Sequence, residues 1–234
     1  MRLAILETGA PPGDLSERFG DYPAMFRRLL LQPGDSAETF DVALGKLPSD
    51  PSAWDACLVT GSAAGVYDPL PWIAPLKAFL NAASGRTALV GVCFGHQVMA
   101  EAFGGRVIKS PKGWGVGLHR YEARPDGWLT GLPTLAAAAS HQDQVVEPPG
   151  DARLAAASDF TPFGALAYPE RRAISIQLHP EFEPDYALAL IEARRGNRYT
   201  DAQADAAAAS YAVGNDRLEV GRRLRSFIEA GGRT

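Results

Sequence analysis

The chain has 234 residues, 46% of them hydrophobic, which is enough for the core of one large α/β domain. Its 27 acidic and 23 basic residues are scattered, with a formal charge of −4, so no basic block points to nucleic acid or an anionic membrane. The opening apolar run is too short for a secretory signal, no later stretch could span a bilayer, and two cysteines make no disulfide framework; a reduced, cytoplasmic protein is expected.

Residues 2–7 form a continuous apolar run, as expected of a strand buried on both faces, and a Gly/Pro-rich loop follows at 8–13. The spacing of Phe19, Met25, Phe26, Leu29 and Leu30 predicts an amphipathic helix over 16–31. Strands are predicted at 40–44 and 56–60, the second ending at Gly61-Ser62, then a helix over 71–83 with Pro71 in its first turn. A short apolar strand at 87–92 and a helix over 96–103 come next. Strand and helix in repetition predict an open, mostly parallel sheet flanked by helices. Between 105 and 168 several short strand-like pieces, broken by Gly and Pro, predict an antiparallel extension, and 173–178 alternates as one last strand.

After Pro184 the pattern turns helical. Thr200 and Gln203 have capping-box spacing ahead of an Ala-rich segment, and Val220, Leu224, Phe227 and Ile228 make one helical stripe. Residues 1–185 are therefore read as the main α/β domain and 186–234 as a helical extension packed on it. The stripe fits packing on its own domain, a contact in a homo-oligomer, or a dock for a partner.

The chemistry concentrates at Gly91-Val92-Cys93-Phe94-Gly95, a G-x-C-x-G set between an apolar strand and a helix. This is the nucleophile-elbow pattern with cysteine in place of serine. Glycines flank the nucleophile because the turn is tight, and the helix N-terminus behind it favours thiolate over thiol. The N–H of Phe94 can point at an oxyanion on the attacked carbonyl. Cys57, in mid-strand, reads as an ordinary core residue.

With His96-Gln97 added, the elbow resembles the nucleophile motif of class I glutamine amidotransferases, including the amidotransferase domain of GMP synthase. Ile176-Gln177-Leu178-His179-Pro180-Glu181-Phe182 resembles the same family's H-P-E-F motif. Both occur in the family's order, and the resemblance spans about the first 185 residues, a typical single-domain length. It implies a flavodoxin-like fold of that family.

A thiol needs an imidazole partner to be a good nucleophile at neutral pH. His179 ranks first of the four histidines: it closes a predicted strand, Pro180 holds it extended, and Glu181 can accept a hydrogen bond from the far ring nitrogen. The resemblance implies the same triad of Cys93, His179 and Glu181. His96 is read as holding the elbow and His119 as a strand residue. A second oxyanion donor could come from Gly61 or Ser62, where glycine lets backbone approach substrate.

By resemblance, Gln97 lines the pocket for the α-amino and α-carboxyl ends of glutamine. The segment Ser140-His141-Gln142-Asp143 borders it, as the family's S-H-x-D-x-V does. The implied reaction runs through a γ-glutamyl thioester and needs no cofactor, and no metal-ligand spacing or phosphate loop is found. Three readings stay open: a glutaminase component serving a synthetase partner chain, an independent γ-glutamyl peptidase or hydrolase, and a non-catalytic interaction protein.

Overall fold

Alternation along the first strand decides the layering. In the computed structural model, which describes residues 1–233, Leu3 and Ile5 of β1 (Arg2–Glu7) join one apolar cluster while Ala4 and Leu6 join another. Successive side chains of a strand face opposite ways, so a run that is apolar throughout must be covered on both sides. Helix α2 (Tyr22–Leu30) supplies Phe26 and Leu30 to the first face, and α7 (Arg217–Glu229) supplies Val220, Leu224, Phe227 and Ile228. The second face takes Leu76 and Leu80 of α3 (Ile73–Ala83), with Val98 and Met99 of α4 (Phe94–Ala102).

Five strands of the main sheet run parallel: β2 (Ser36–Asp41), β1, β3 (Ala56–Val59), β4 (Ala88–Val92) and β11 (Ala173–Ile176), in that spatial order. The sheet continues antiparallel through β10 (Ala165–Tyr168), β9 (Arg153–Ala157), β6 (Gly115–Ala123) and β7 (Thr134–His141). A separate pair joins β5 (Arg106–Lys109) to β8 (Asp143–Glu147). The mostly parallel sheet and its antiparallel extension are therefore both present. In register, Val59 sits beside Gly91, and Val92 beside Ile176. The carboxyl ends of β3, β4 and β11 thus finish at one edge, which is where open α/β sheets gather their ligand sites.

Three local expectations are corrected. The single helix over 16–31 is two, α1 (Leu15–Phe19) and α2. Gly20 breaks it at a positive φ of 85°, and Asp21 restarts the chain by accepting from the N–H of Ala24. The strand expected at 40–44 is β2 at Ser36–Asp41, a half-exposed edge strand whose polar alternation lacks the apolar signature; residues 42–45 turn instead, ending at Gly45. The strand expected over 173–178 is β11 at Ala173–Ile176; one further antiparallel bond, from the N–H of Gln177 to Gly164 O, follows before the chain crosses to Ala138 through the N–H of His179.

Past the sheet, α5 (Pro184–Arg194) packs Tyr186, Ala187 and Leu190 against Leu15, Tyr22 and Met25. α6 (Asp201–Ala209) packs Ala204 and Ala207 with Tyr199, and the Thr200–Gln203 capping box forms as the spacing predicts. No helix is long and apolar enough to cross a membrane among the described residues.

Candidate active site

Cys93 stands alone between β4 and α4, with φ 54° and ψ −104°. A side chain bearing a Cβ rarely adopts that region, and holding one there costs on the order of 1–3 kcal/mol. Its surroundings enforce the turn: the Cys93 N–H donates to Ile176 O at 2.9 Å, and the Gln97 N–H to Cys93 O at 3.1 Å. A methyl group at Gly91 would strike the Gly95 carbonyl and the Met99 sulfur, each at 2.5 Å, and one at Gly95 would strike the Val59 carbonyl. Both flanking glycines are thus sites of close approach, as the elbow pattern requires.

His179 lies three residues beyond β11, not at its end as the sequence suggests. It is held by its own N–H donating to Ala138 O at 2.8 Å. The ring is bonded through Nδ1 to Glu181 Oε1 at 2.7 Å and stacks on Phe182 at 4.0 Å, with Tyr22 and Tyr186 packed on Phe182 in turn. Cys93, His179 and Glu181 are all buried, Glu181 with 1% of its surface exposed. Burial by itself would weaken the hold of His179 on a proton, but the Cys93 sulfur and the Glu181 carboxylate outweigh it and raise its pKa well above the ordinary imidazole range. With Nδ1 engaged by Glu181, Nε2 is the ring atom left for other partners.

The loop after β3 closes the third side. A methyl group at Gly61 would lie 3.0 Å from His179 Cε1 and 3.8 Å from Cys93 Cβ, so only glycine fits without displacing the imidazole. The Thr8 hydroxyl lies 3.0 Å from Thr60 O and 3.1 Å from Gly61 O, and the Thr8 N–H donates to Thr60 Oγ1 at 3.0 Å. Phe94 begins α4, so its N–H has no partner within the helix, while its ring is core packed against Trp72. Its candidate role is therefore confined to its backbone.

Cys93 sits where two cavities meet. The first, of about 420 Å³, is bordered by Ser62, Gln97, Ser140 and His141, together with Asp68, Lys109 and Asp143. Gln97 is fixed there by donating from Nε2 to Asp143 O at 2.9 Å and to Gln177 Oε1 at 3.1 Å. The second, of about 220 Å³, lies on the His179 side and reaches Gly61, Ser62, Tyr22 and Phe182. Every candidate named from the sequence reaches this region except the Phe94 ring; Glu181 stands behind His179 rather than in a cavity wall.

The other histidines take lesser places. Burial pushes His96 and His141 down to about 3, so both are neutral near pH 7. His96 Nδ1 is 2.8 Å from Ser175 Oγ on the neighbouring strand, as suits a residue that braces the elbow. His119 packs edge-on to Phe160. Burial also raises the Cys57 thiol to about 12, which leaves it inert in the core. Among the described residues no group of three or more His, Cys, Asp or Glu is placed to share a metal ion.

Sequence reasoning missed Thr8, Tyr67, Asp68, Lys109, Arg194 and Arg198. Thr8 left one signal, a hydroxyl directly after an apolar strand. The Arg194-Arg195-Gly196-Asn197-Arg198 run left another, basic residues at a helix break in a segment read only as helical. Tyr67, whose hydroxyl donates to Asp143 Oδ2 at 2.9 Å, left none.

Known proteins resemble the chain in sequence and in fold. A glutamine amidotransferase-like protein of Schizosaccharomyces pombe is 30% identical over 225 residues, covering 88% of this chain and 89% of that protein. Gamma-glutamyl peptidase 2 of Arabidopsis thaliana is 25% identical, covering 82% of this chain and 80% of that protein. A subunit of the glutamine-hydrolyzing GMP synthase of Methanopyrus kandleri is 32% identical over a shorter stretch, 46% of this chain and 58% of that protein. Among solved structures, a glutamine amidotransferase from Thermotoga maritima superposes with a TM-score of 0.72 at 16% identity, covering 100% of this chain and 99% of that one. The family model for glutamine amidotransferase class-I matches residues 50–191, which run from just before β3 into α5, and the chain belongs to that family.

Proposed function

We propose that Cys93, His179 and Glu181 form a nucleophilic triad that cleaves a γ-glutamyl amide bond through a γ-glutamyl thioester on Cys93. The observation that carries this reading is a strained cysteine at a helix start, set beside a buried His179–Glu181 pair whose imidazole favours its protonated form. In the first half-reaction the thiolate bonds to the carbonyl carbon of the γ-amide and the carbonyl π electrons move onto oxygen. The N–H groups of Phe94 and of Gly61 or Ser62 receive that charge. Collapse breaks the carbon–nitrogen bond, His179 gives its proton to the departing nitrogen, and the thioester remains. Water then attacks the same carbon while neutral His179 takes its proton; glutamate leaves and the thiolate–imidazolium pair is restored. Gln97, Ser140 and His141 are assigned to the glutamyl end of the substrate.

Two fates of the nitrogen are consistent with the relatives. Likeness to the GMP synthase chain supports a glutaminase that hands ammonia to a synthetase partner, and likeness to the gamma-glutamyl peptidases supports independent hydrolysis. We favour hydrolysis, because the cavity on the His179 side, about 220 Å³, far exceeds the roughly 10–15 Å³ of such space that one water-sized molecule of ammonia needs. Both cysteines are free, which suits thiol chemistry in a reducing compartment such as the cytoplasm.

The test is to incubate purified protein with glutamine and with γ-glutamyl dipeptides and to measure ammonia, glutamate and released amine. Acid-quenched samples are weighed by mass spectrometry for a single γ-glutamyl adduct. Cys93→Ala is expected to lose the adduct and at least about 10³-fold of the turnover. Undiminished turnover in that variant would refute the proposal.

A further inference from the structure

The two cavities that meet at Cys93 differ in charge. The one on the Gln97 side sets Asp68 and Asp143 against Lys109, Arg194 and Arg198, as suits a group bearing both an ammonium and a carboxylate. The one on the His179 side has an apolar wall of Tyr22, Phe182 and Leu190 and shares the guanidinium groups of Arg194 and Arg198 with the first, but it has no carboxylate in its lining to offset them. Leaving nitrogen must depart on the side of the imidazole that protonates it, so whatever that nitrogen carries extends into the basic cavity.

The two arginines are held ready. Among the described residues neither is in an ion pair, whereas Arg195 between them meets Glu192 and Asp205, each at 2.9 Å. Arg194 donates from Nη1 to Ser140 Oγ at 2.6 Å, which fixes it at the rim shared by both cavities. Arg198 lies over the Trp114 ring at 5.2 Å, and a guanidinium stacked on an aromatic face keeps its in-plane donors for another partner. Both lie beyond the 50–191 match, on the end of α5 and the loop that leads to α6.

We infer that this cavity is a leaving-group subsite for an amine that carries its own carboxylate, so that the substrate is the γ-glutamyl amide of an amino acid or short peptide. Arg198 and Arg194 receive the carboxylate and the aromatic wall receives the side chain. Ammonia offers nothing for two guanidinium groups to pair with. A carboxylate offers a charge-assisted, two-pronged contact. The assignment rests on the thioester reading above and adds to it the class of leaving group.

Arg198 is the residue to vary, since it is exposed and Arg194 also holds Ser140. The native protein is assayed on γ-glutamyl-alanine, on its C-terminal carboxamide and on glutamine, with glutamate release as the readout. Native kcat/KM for the free acid is expected to exceed that for the carboxamide by at least about tenfold. Arg198→Ala is expected to bring that ratio close to one, mainly through KM for the acid, and Arg198→Lys to restore part of it. Equal kcat/KM for acid and carboxamide in the native protein, or an unchanged ratio in Arg198→Ala, overturns the subsite while leaving the thioester chemistry standing. Absence of glutamate from all three compounds overturns the thioester reading, and the subsite with it.

Discussion

At the scale of single residues, the site turns on one proton. Cys93 and Glu181 flank His179 and hold a charge on it that burial would otherwise expel. The imidazolium that gives its proton to the leaving nitrogen is therefore present over a wide pH range, and activity should fall on the alkaline side only as His179 loses that proton. Replacing Glu181 by Gln removes one negative charge, which lowers the affinity of the ring for the proton. The alkaline limb of the kcat/KM profile should then move to lower pH, with kcat down on the order of 10²–10⁴-fold. A profile whose limb stays in place in Glu181→Gln would contradict the assignment. Stability follows the same sign. A histidine whose folded pKa is raised stabilises the fold fully below its unfolded value, and that contribution is lost as pH rises through the folded one.

At the scale of elements, the chain segments that meet at the sheet edge differ in how plainly the sequence announces them. The β4–α4 elbow and the H-P-E-F segment are contiguous, so each carries its own geometry: two glycines around a cysteine, and a proline locking a histidine two residues before its acid partner. Thr8 and Arg194 enter only because β1 and α5 end near the same edge, and no local spacing encodes that. The same limit explains the misplaced end of β11. Alternation runs on through Leu178, but by His179 the chain bonds to Ala138 of β7 instead, a residue beyond the reach of any sequence window. The loop after β3 offers the clearest test at this scale. In Gly61→Ala the new methyl must push the His179 ring by a few tenths of an ångström. A displacement of that size in a preorganised site should lower kcat by roughly tenfold or more while KM changes little, with the melting temperature almost unchanged. Steady-state kinetics on glutamine or a γ-glutamyl dipeptide would check this.

At the scale of the whole molecule, we propose that the helical extension, described to residue 233, folds with the α/β sheet rather than as a separate unit. The stripe of α7 lies in the same apolar cluster as Leu3, Leu58, Val90 and Ile174, so it covers one face of the central strands. Arg225 ties the helix down further by donating to Leu30 O at 2.7 Å and pairing with Asp35, which sits just before β2. That guanidinium, with the other donors around Asp35, holds the carboxyl well below the usual carboxylate range. A carboxylate with a depressed folded pKa stabilises above its unfolded value and ceases to do so as pH falls through the folded one. Leu224→Ala empties part of the shared cluster and should cost about 2–5 kcal/mol. If the helix and the sheet are one unit, that loss appears as a shift of a single denaturant transition with an unchanged slope, followed equally by far-ultraviolet dichroism and by tryptophan fluorescence. Asp35→Asn should lower the midpoint at neutral pH and narrow its gap from the native protein in acid, because the native protein then loses the same charge. Two separate transitions, or a Leu224→Ala variant whose sheet melts as before, would show that the tail folds on its own.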